Sequence, residues 1–142
     1  MSSPTDAAND WNRKTIEEFR ANAGEVGGNF AGAPLLLLHT VGARSGQERV
    51  NPMMYQDLGD GRVAVFATKA GAPTHPDWYH NLVANPYVTA EIGTETRRFH
   101  ARTAASGERG PIWAKQKQDY PGFADYETRT DREIPVVILN PV

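Results

Sequence analysis

Residues 42–46, which read Gly-Ala-Arg-Ser-Gly, form the clearest candidate for chemistry in the sequence. Arg44 lies inside this glycine-bounded turn, and Arg49 follows it on the predicted returning strand. Glycines allow a backbone to approach a ligand closely, and turn amides with two guanidinium groups suit a phosphate or a carboxylate. The segment lacks the Gly-Lys-Ser/Thr ending of a P-loop. On composition alone, a solvated turn with ordinary surface arginines is the commoner interpretation.

The segment around His75 and His80 raises the question of a metal site. The two histidines are five residues apart, a spacing that does not place them on one face of a helix. No third strong ligand is nearby in the sequence, so no metal is expected. Ser45 lacks the elbow motif of a hydrolase nucleophile. The plainer interpretation is a capped helix whose aromatic residues pack against neighbouring structure.

Two segments near the C-terminus also carry reactive or binding groups. Tyr120, Phe123 and Tyr126 are spaced so that they could line a pocket for a planar ligand, but the spacing favours a small core. The charged run over residues 128–135 is typical of a solvated face, where each exposed ion pair contributes about 0–1 kcal/mol.

Composition excludes several classes of protein. The chain has 142 residues, which suits one domain. It has no cysteine, which excludes a disulfide scaffold, thiolate zinc sites, iron–sulfur clusters and a cysteine nucleophile. A net charge of −2 argues against a general nucleic-acid binder. The sequence shows no secretory signal and no apolar run near the roughly 20 residues of a membrane span, so we expect a cytoplasmic protein.

Six strands and three helices are expected to position these residues. The predicted strands cover residues 35–41, 49–55, 62–68, 87–92, 96–104 and 134–139, and the predicted helices cover 9–23, 77–84 and 111–120. Asn9 or Asp10 would cap the first helix, and Gly24 would end it. Tight turns between successive strands predict a mostly antiparallel sheet. We therefore predict a mainly β protein of the α+β class, a small barrel with flanking helices.

Five segments in this order resemble the deazaflavin-dependent nitroreductase family, whose members bind coenzyme F420 in a split β-barrel of the FMN-binding-like type. The segments are residues 38–46, 49–54, 71–73 with 76–81, 85–86 and 130–136. The resemblance extends from about residue 27 to residue 141. The small polar residues 1–8 lie outside it and are expected to be disordered, and the helical spacing of apolar residues predicts an N-terminal helix over 9–24. The resemblance implies a split-barrel coenzyme-binding domain over 25–142.

The resemblance implies an oxidoreductase that transfers a hydride from reduced coenzyme F420 to a quinone, a nitroaromatic compound or a similar hydrophobic acceptor. The coenzyme would carry the chemistry, which fits the lack of a catalytic triad or metal site. Phe123 stands where related sequences can have Tyr, so nitroreduction is the less expected activity. Two alternatives are an FMN-binding split-barrel oxidoreductase and a non-catalytic deazaflavin-binding protein.

The resemblance also implies the site residues. Arg44 and Ser45 with the Ala43 backbone would hold the coenzyme phosphate, and Arg49 would add a second cation. Tyr126 would approach the ring, shape the acceptor site and serve as the catalytic residue. The implied cofactor-binding residues are Ala43, Arg44, Ser45, Arg49, Val50, Asn51, Pro52, Met53, Met54, Phe66, Ala67, Thr68, Lys69, Asp77, Trp78, Tyr79, His80, Asn81 and Tyr126.

Two partner questions arise from the N-terminal helix and the fold. The helix combines Trp11, Ile16 and Phe19 with basic residues, a composition that suits either an interfacial membrane helix or a helix packed on the barrel. Packing on the barrel is the commoner outcome, whereas an interfacial helix would place the protein at the inner face of the membrane. Split barrels often dimerise, so a homodimer is a further expectation.

Overall fold

The structure, a computed structural model, describes residues 4–27 and 32–142, with residues 4–11 described by their backbone alone. The described strands are β1 (Leu35–Val41), β2 (Glu48–Gly59), β3 (Arg62–Phe66), β4 (Tyr87–Ile92), β5 (Glu95–Thr103) and β6 (Val136–Pro141). The described α-helices are α1 (Pro4–Ala21), α2 (Asp77–Ala84), α3 (Ser106–Asp119) and α4 (Gly122–Thr128). A 3₁₀ turn covers Lys69–Gly71.

The six strands close into an antiparallel barrel in the order β1-β2-β3-β6-β5-β4. Closure pairs β3 with β6, so that Val63 lies opposite Leu139 and Phe66 lies opposite Val136. It also pairs β1 with β4, from Leu36 opposite Ile92 onwards. The predicted mainly β barrel with flanking helices, of the split-barrel type, is therefore confirmed.

Alternating residues of the strands build an inner core and two outer ones. Leu36, Leu38 and Phe99 point into the barrel, where Trp78 and Leu82 of α2 join them. The intervening residues of β1 point outward and pack beneath α1. On the other side of the barrel, the outer faces of β3 and β6 are covered by α3 and α4. Because β1 is buried on both faces, its sequence is a continuous apolar run.

Helix α1 is fastened to the outside of the barrel by apolar and charged contacts. Phe19 is only 1% exposed and packs with Leu35 and Leu37. Arg20 donates two hydrogen bonds to Glu91, with distances of 3.0 and 2.7 Å, and this contact is the main cause that lowers the pKa of the Glu91 carboxyl. The apolar face around Phe19 is thus used in packing on the barrel. No helix in the described ranges is both long and apolar enough to cross a membrane.

The ends of α1 differ from the prediction. The helix begins at Pro4, so residues 4–8 are helical rather than disordered, and Asn9 and Asp10 lie inside the helix rather than capping it. Proline suits the first turn because its missing N–H needs no partner there. The helix ends at Ala21, three residues before Gly24. Residues 1–3 lie outside the described residues.

Other elements also differ in extent. Helix α3 begins at Ser106 instead of residue 111, because the Glu108 side chain accepts the Ala105 N–H at 3.2 Å and stabilises the first turn. Arg102 binds the same carboxylate, and together these contacts lower the pKa of Glu108 to about 2. Strand β2 continues to Gly59, four residues beyond its predicted end. Helix α4 was not predicted, since seven residues are too few to show a helical period.

Candidate functional site

Three of the predicted site segments meet at one end of the barrel, which we call the barrel mouth. Antiparallel pairing brings the end of β1 beside the start of β2, and the end of β3 beside the start of β6. The turn over residues 42–47, residues 66–69 and helix α2 therefore lie at the same end. Helix α2 closes the barrel interior there, because Trp78 and Leu82 insert into the inner core.

Asn81 of α2 holds the turn that carries Arg44. Its side-chain amide donates to Thr40 Oγ1 at 3.2 Å, and its carbonyl oxygen Oδ1 accepts the Ala43 N–H at 3.0 Å. Asn81 is 8% exposed, so these bonds are shielded from water. The Ala43 N–H, which the sequence interpretation offered to a phosphate, is already donated to Asn81 in this structure. Asn81 therefore acts on the turn from within the barrel.

The turn itself is compact. Ser45 Oγ accepts the Gln47 N–H at 3.2 Å, and the Gly42 N–H donates to the Gln47 carbonyl at 2.7 Å. A Cβ at Gly42 would lie 2.5 Å from Ser45 Oγ, so a side chain there would displace the hydroxyl that accepts the Gln47 N–H. Local contacts thus fix the backbone position from which the Arg44 side chain extends.

Arg44 and Arg49 bring positive charge to the barrel mouth without a counterion. Both are exposed, and neither forms an ion pair with a carboxylate in the part of the chain that the structure describes. Arg49 lies opposite Thr40 in the ladder, directly after the turn. Two guanidinium groups without partners favour an anionic ligand such as a phosphate.

Strand β2 has an open surface next to these arginines. Residues 50–55 are six consecutive half-buried positions, whereas residues 35–38 of the neighbouring β1 are fully buried. Met53 packs towards the inner core, and Val50 and Met54 pack towards the cluster beneath α1. The predicted segment from Val50 to Met54 is therefore divided between two faces, and one planar ligand can contact only alternate side chains of it.

Tyr126 of α4 lies near the end of β3, on the outer face of the barrel. Its ring is 5.5 Å from that of Phe123, which packs edge-on against Phe66 at 5.6 Å. These aromatic residues are half-buried and pack on the outer faces of β3 and β6, as the small-core interpretation predicted. The structure thus brings Tyr126 beside the end of β3, while no described contact joins it to the turn that carries Arg44.

The backbone after β3 is strained. Lys69, Ala70 and Gly71 all have positive φ angles, of 45°, 52° and 80°. Such a conformation costs of order 1–3 kcal/mol for a residue other than glycine. A Cβ at Gly71 would lie 2.7 Å from the Tyr126 carbonyl oxygen, so helix α4 packs directly on this turn.

Arg132 holds this strained backbone in place, a role that the sequence interpretation missed. Its guanidinium donates to the carbonyls of Thr68 at 2.8 Å, Ala72 at 2.9 Å and Ala67 at 3.1 Å. The charged run from residue 128 to 135 was expected to be a solvated face, which is wrong for Arg132. No local pattern distinguishes Arg132 from Arg129, because its partners lie about 60 residues earlier in the chain.

The predicted residues of α2 divide by face. Asp77 and His80 are exposed, whereas Trp78 is turned into the inner core with Asn81. The Tyr79 hydroxyl pairs with Thr103 Oγ1 at 3.1 Å. Only the exposed part of this helix can therefore meet a ligand at the barrel mouth.

Three further observations describe the surroundings. Lys69 Nζ donates to Thr74 Oγ1 at 3.1 Å, which directs this cation along its own loop. His75 and His80 have ring centroids 5.9 Å apart, and the described residues contain no group of three potential metal ligands. Two depressions of about 210 and 200 Å³ lie on the outer barrel surface, and no predicted cofactor-binding residue lines either of them. The candidate site on β2 is the half-buried strip over residues 50–55.

Comparison with known proteins agrees with these features. A family model described as F420H(2)-dependent quinone reductase matches residues 11–141. An F420H(2)-dependent quinone reductase of Mycobacterium tuberculosis is 37% identical over 127 residues, which cover 85% of this chain and 83% of that protein.

Two solved structures are also similar. One, described as an F420-H2 dependent reductase, is 40% identical with a TM-score of 0.68 and covers 75% of this chain and 94% of its own. Another, described as a domain-swapped dimer, is 36% identical with a TM-score of 0.70 and covers 97% of this chain and 100% of its own. The resemblance to deazaflavin-dependent enzymes is thus confirmed, and the chain belongs to the F420H(2)-dependent quinone reductase family.

Proposed function

We propose that this protein is an oxidoreductase that uses reduced coenzyme F420 to reduce a quinone. One observation carries the proposal beyond family membership: Arg44 and Arg49 lack counterions in the described residues and lie at the start of the half-buried strip on β2. This combination fits a coenzyme that joins an anionic tail to a flat ring. When bound, the coenzyme supplies a hydride.

The protein's residues would bind and orient that coenzyme. Arg44 and Arg49 would hold its phosphate, with the Ser45 hydroxyl as a further donor. The strip over residues 50–55 would support the ring on one face of β2. Residues 66–69 and Tyr126 would border the ring on the side of β3, so that Tyr126 would contact the acceptor as the proposed catalytic residue.

A quinone is the acceptor that we favour. The wall near Tyr126 is aromatic and includes Phe123, which offers no hydroxyl to a nitro group. A flat apolar acceptor suits such a wall because it buries apolar surface without leaving a polar group unpaired. Nitroaromatic compounds are a second class of acceptor, and we expect this chain to reduce them more slowly.

A steady-state assay tests the proposal. Purified protein is mixed with reduced F420 and menadione, and oxidation of the coenzyme is followed by its absorbance. We expect oxidation far above the protein-free rate, and slower oxidation with a nitroaromatic acceptor. A rate equal to the protein-free rate, together with coenzyme binding, would instead indicate a binding protein. Tight FMN binding with no F420 binding would favour the flavin alternative.

Dimerisation, cytoplasmic location and membrane contact stay predictions. A similar structure described as a domain-swapped dimer supports the prediction of a dimer, which light scattering of the purified chain would test. For membrane contact, the structure shows that Phe19 is buried against the barrel, so this side chain is not available to a bilayer while α1 is packed there.

A further inference from the structure

The guanidinium of Arg132 makes four hydrogen bonds that tie two distant segments together. Besides the carbonyls of Ala67, Thr68 and Ala72, it reaches Nδ1 of His75 at 2.9 Å. These partners span the loop from the end of β3 to the start of α2, the stretch that contains the three consecutive positive φ angles. A single side chain therefore spans the whole loop between two elements of the barrel mouth.

The contact with Arg132 determines the protonation of His75. An arginine side chain can only donate hydrogen bonds, so His75 Nδ1 must accept. An imidazole with an accepting Nδ1 is neutral and carries its proton on Nε2. Nε2 has no hydrogen-bond partner among the described residues. It is thus a donor at the barrel mouth that the protein itself leaves available.

The surroundings of His75 favour this neutral form. Burial is the main cause that lowers its pKa, followed by the charges of Arg132 and His80. The rings of Tyr79 and His80 lie 4.9 and 5.9 Å away, and Lys69 binds the adjacent Thr74. No carboxylate within the described ranges pairs with His75 to favour its protonation.

We propose that Arg132 is a positioning residue of the coenzyme site, which fixes the loop over residues 67–75 and locks His75 as a neutral ring with its proton on Nε2. The positioning part rests on the proposed function, since this loop borders the strip on β2. The locked ring presents one fixed donor to an oxygen acceptor of the bound molecules. It also keeps the His75 ring uncharged near neutral pH.

Nitrogen-15 NMR of the histidines in the coenzyme-free protein tests the lock independently of the function. We expect His75 to titrate below the ordinary histidine pKa of about 6.5, and its neutral form to show an unprotonated Nδ1 and a protonated Nε2. In Arg132→Gln, His75 should titrate closer to that ordinary value. A wild-type His75 that titrates near pH 6.5, or that carries its proton on Nδ1, would overturn the lock.

Coenzyme titration tests the positioning role. Arg132→Lys keeps the charge but cannot form the fork of hydrogen bonds, so we expect its affinity for F420 to fall at least tenfold. The matched control is Arg98→Lys on the outer barrel surface, with unchanged affinity expected. Melting curves would check that the Arg132 variants are folded. If Arg132→Gln does not fold, Arg132→Lys replaces it in the NMR experiment.

The NMR experiment and the coenzyme titration together distinguish failure of the Arg132 proposal from failure of the proposed function. Equal affinity of wild type and Arg132→Lys would overturn the positioning role while leaving the proposed function intact. Absence of F420 binding by the wild type would refute the proposed function and the positioning role together. The NMR result would still decide whether Arg132 sets the protonation of His75.

Discussion

Arginines at the barrel mouth differ in what surrounds them. Arg44 and Arg49 are exposed and have no ion-pair partner among the described residues, so their charge is available to a ligand. Arg132 is half-buried and uses its donors on three backbone carbonyls and one histidine. Burial lowers its pKa, although an arginine keeps its charge at any physiological pH. The same residue type thus serves binding in one place and positioning in another.

Asn81 is the residue whose loss we expect to loosen the arginine turn. Asn81→Ala removes the partners of the Ala43 N–H and of buried Thr40, which should lower the free energy of unfolding by about 1–3 kcal/mol. The matched control is Val83→Ala on the exposed side of the same helix, expected within about 0.5 kcal/mol of wild type. Urea unfolding would measure both. Equal stability of the two variants would show that Asn81 does not hold the turn.

The residues of the arginine turn are easier to recognise in the sequence than the residues that support it. Arg44, Ser45 and Arg49 stand out because glycines and a short local spacing surround them. Asn81 was included as a coenzyme contact, whereas the structure turns it inward to support the turn. The charged run predicts a solvated position for Arg132, whereas its actual partners are carbonyls about 60 residues away, and carbonyls are common to every residue. Such contacts have no sequence pattern.

At the scale of elements, the strained turn over Lys69–Gly71 follows β3 and packs against helix α4. Gly71 is the point of contact, because α4 lies where a side chain of residue 71 would be. This close approach places the half-buried face of Tyr126 beside residues 66–69. The contact of Gly71 with α4 therefore contributes, with the packing of Phe123, to the position of the proposed catalytic tyrosine.

Gly71→Ala should disturb that contact. Its Cβ would lie 2.7 Å from the Tyr126 carbonyl oxygen and 2.8 Å from Arg129 Cβ, at a φ of +80° that alanine disfavours. We expect the free energy of unfolding to fall by about 1–3 kcal/mol. Gly110→Ala is the control, since a Cβ there meets nothing and alanine should stabilise α3 by about 0.5–1 kcal/mol. If both variants unfold like the wild type, α4 does not pack on Gly71 as described.

Element prediction succeeded where the local signal was strong. Leu35–Val41, Asp77–Ala84 and Tyr87–Ile92 have the predicted bounds, because a proline, glycine or Asn-Pro pair delimits each apolar segment. Helix α4 was missed, since it is short and begins at a glycine. The early start of α3 depends on Glu108, which accepts the Ala105 N–H and is held by Arg102 of the preceding strand, and periodicity does not reveal these contacts.

At the scale of the whole molecule, the barrel fold was predictable but its closure was not. Tight turns predicted the antiparallel neighbours β1-β2, β2-β3 and β4-β5. The pairing of β3 with β6 joins residues 70 to 76 positions apart, and only packing of the closed barrel determines it. That closure brings the segment with Arg132 to the loop that it holds.

The net charge of −2 also conceals an uneven distribution. Acidic residues such as Glu91, Glu108 and Glu127 are paired with basic partners on the barrel surface. Arg44 and Arg49 lack such partners in the described chain and lie together at the barrel mouth. A nearly neutral protein thus presents a local cationic site, whose attraction for an anion should weaken as salt is added.

Titration of coenzyme F420 against the wild type, Arg44→Ala, Arg49→Ala and the control Arg98→Ala is the most direct test of the account. Loss of one charged partner costs about 1.5–3 kcal/mol, so each mouth variant should bind roughly tenfold to a hundredfold more weakly. Arg98→Ala should bind like the wild type, and added salt should weaken wild-type binding most. Equal affinity of all four proteins, or no binding by the wild type, would contradict the assignment of the coenzyme to the barrel mouth.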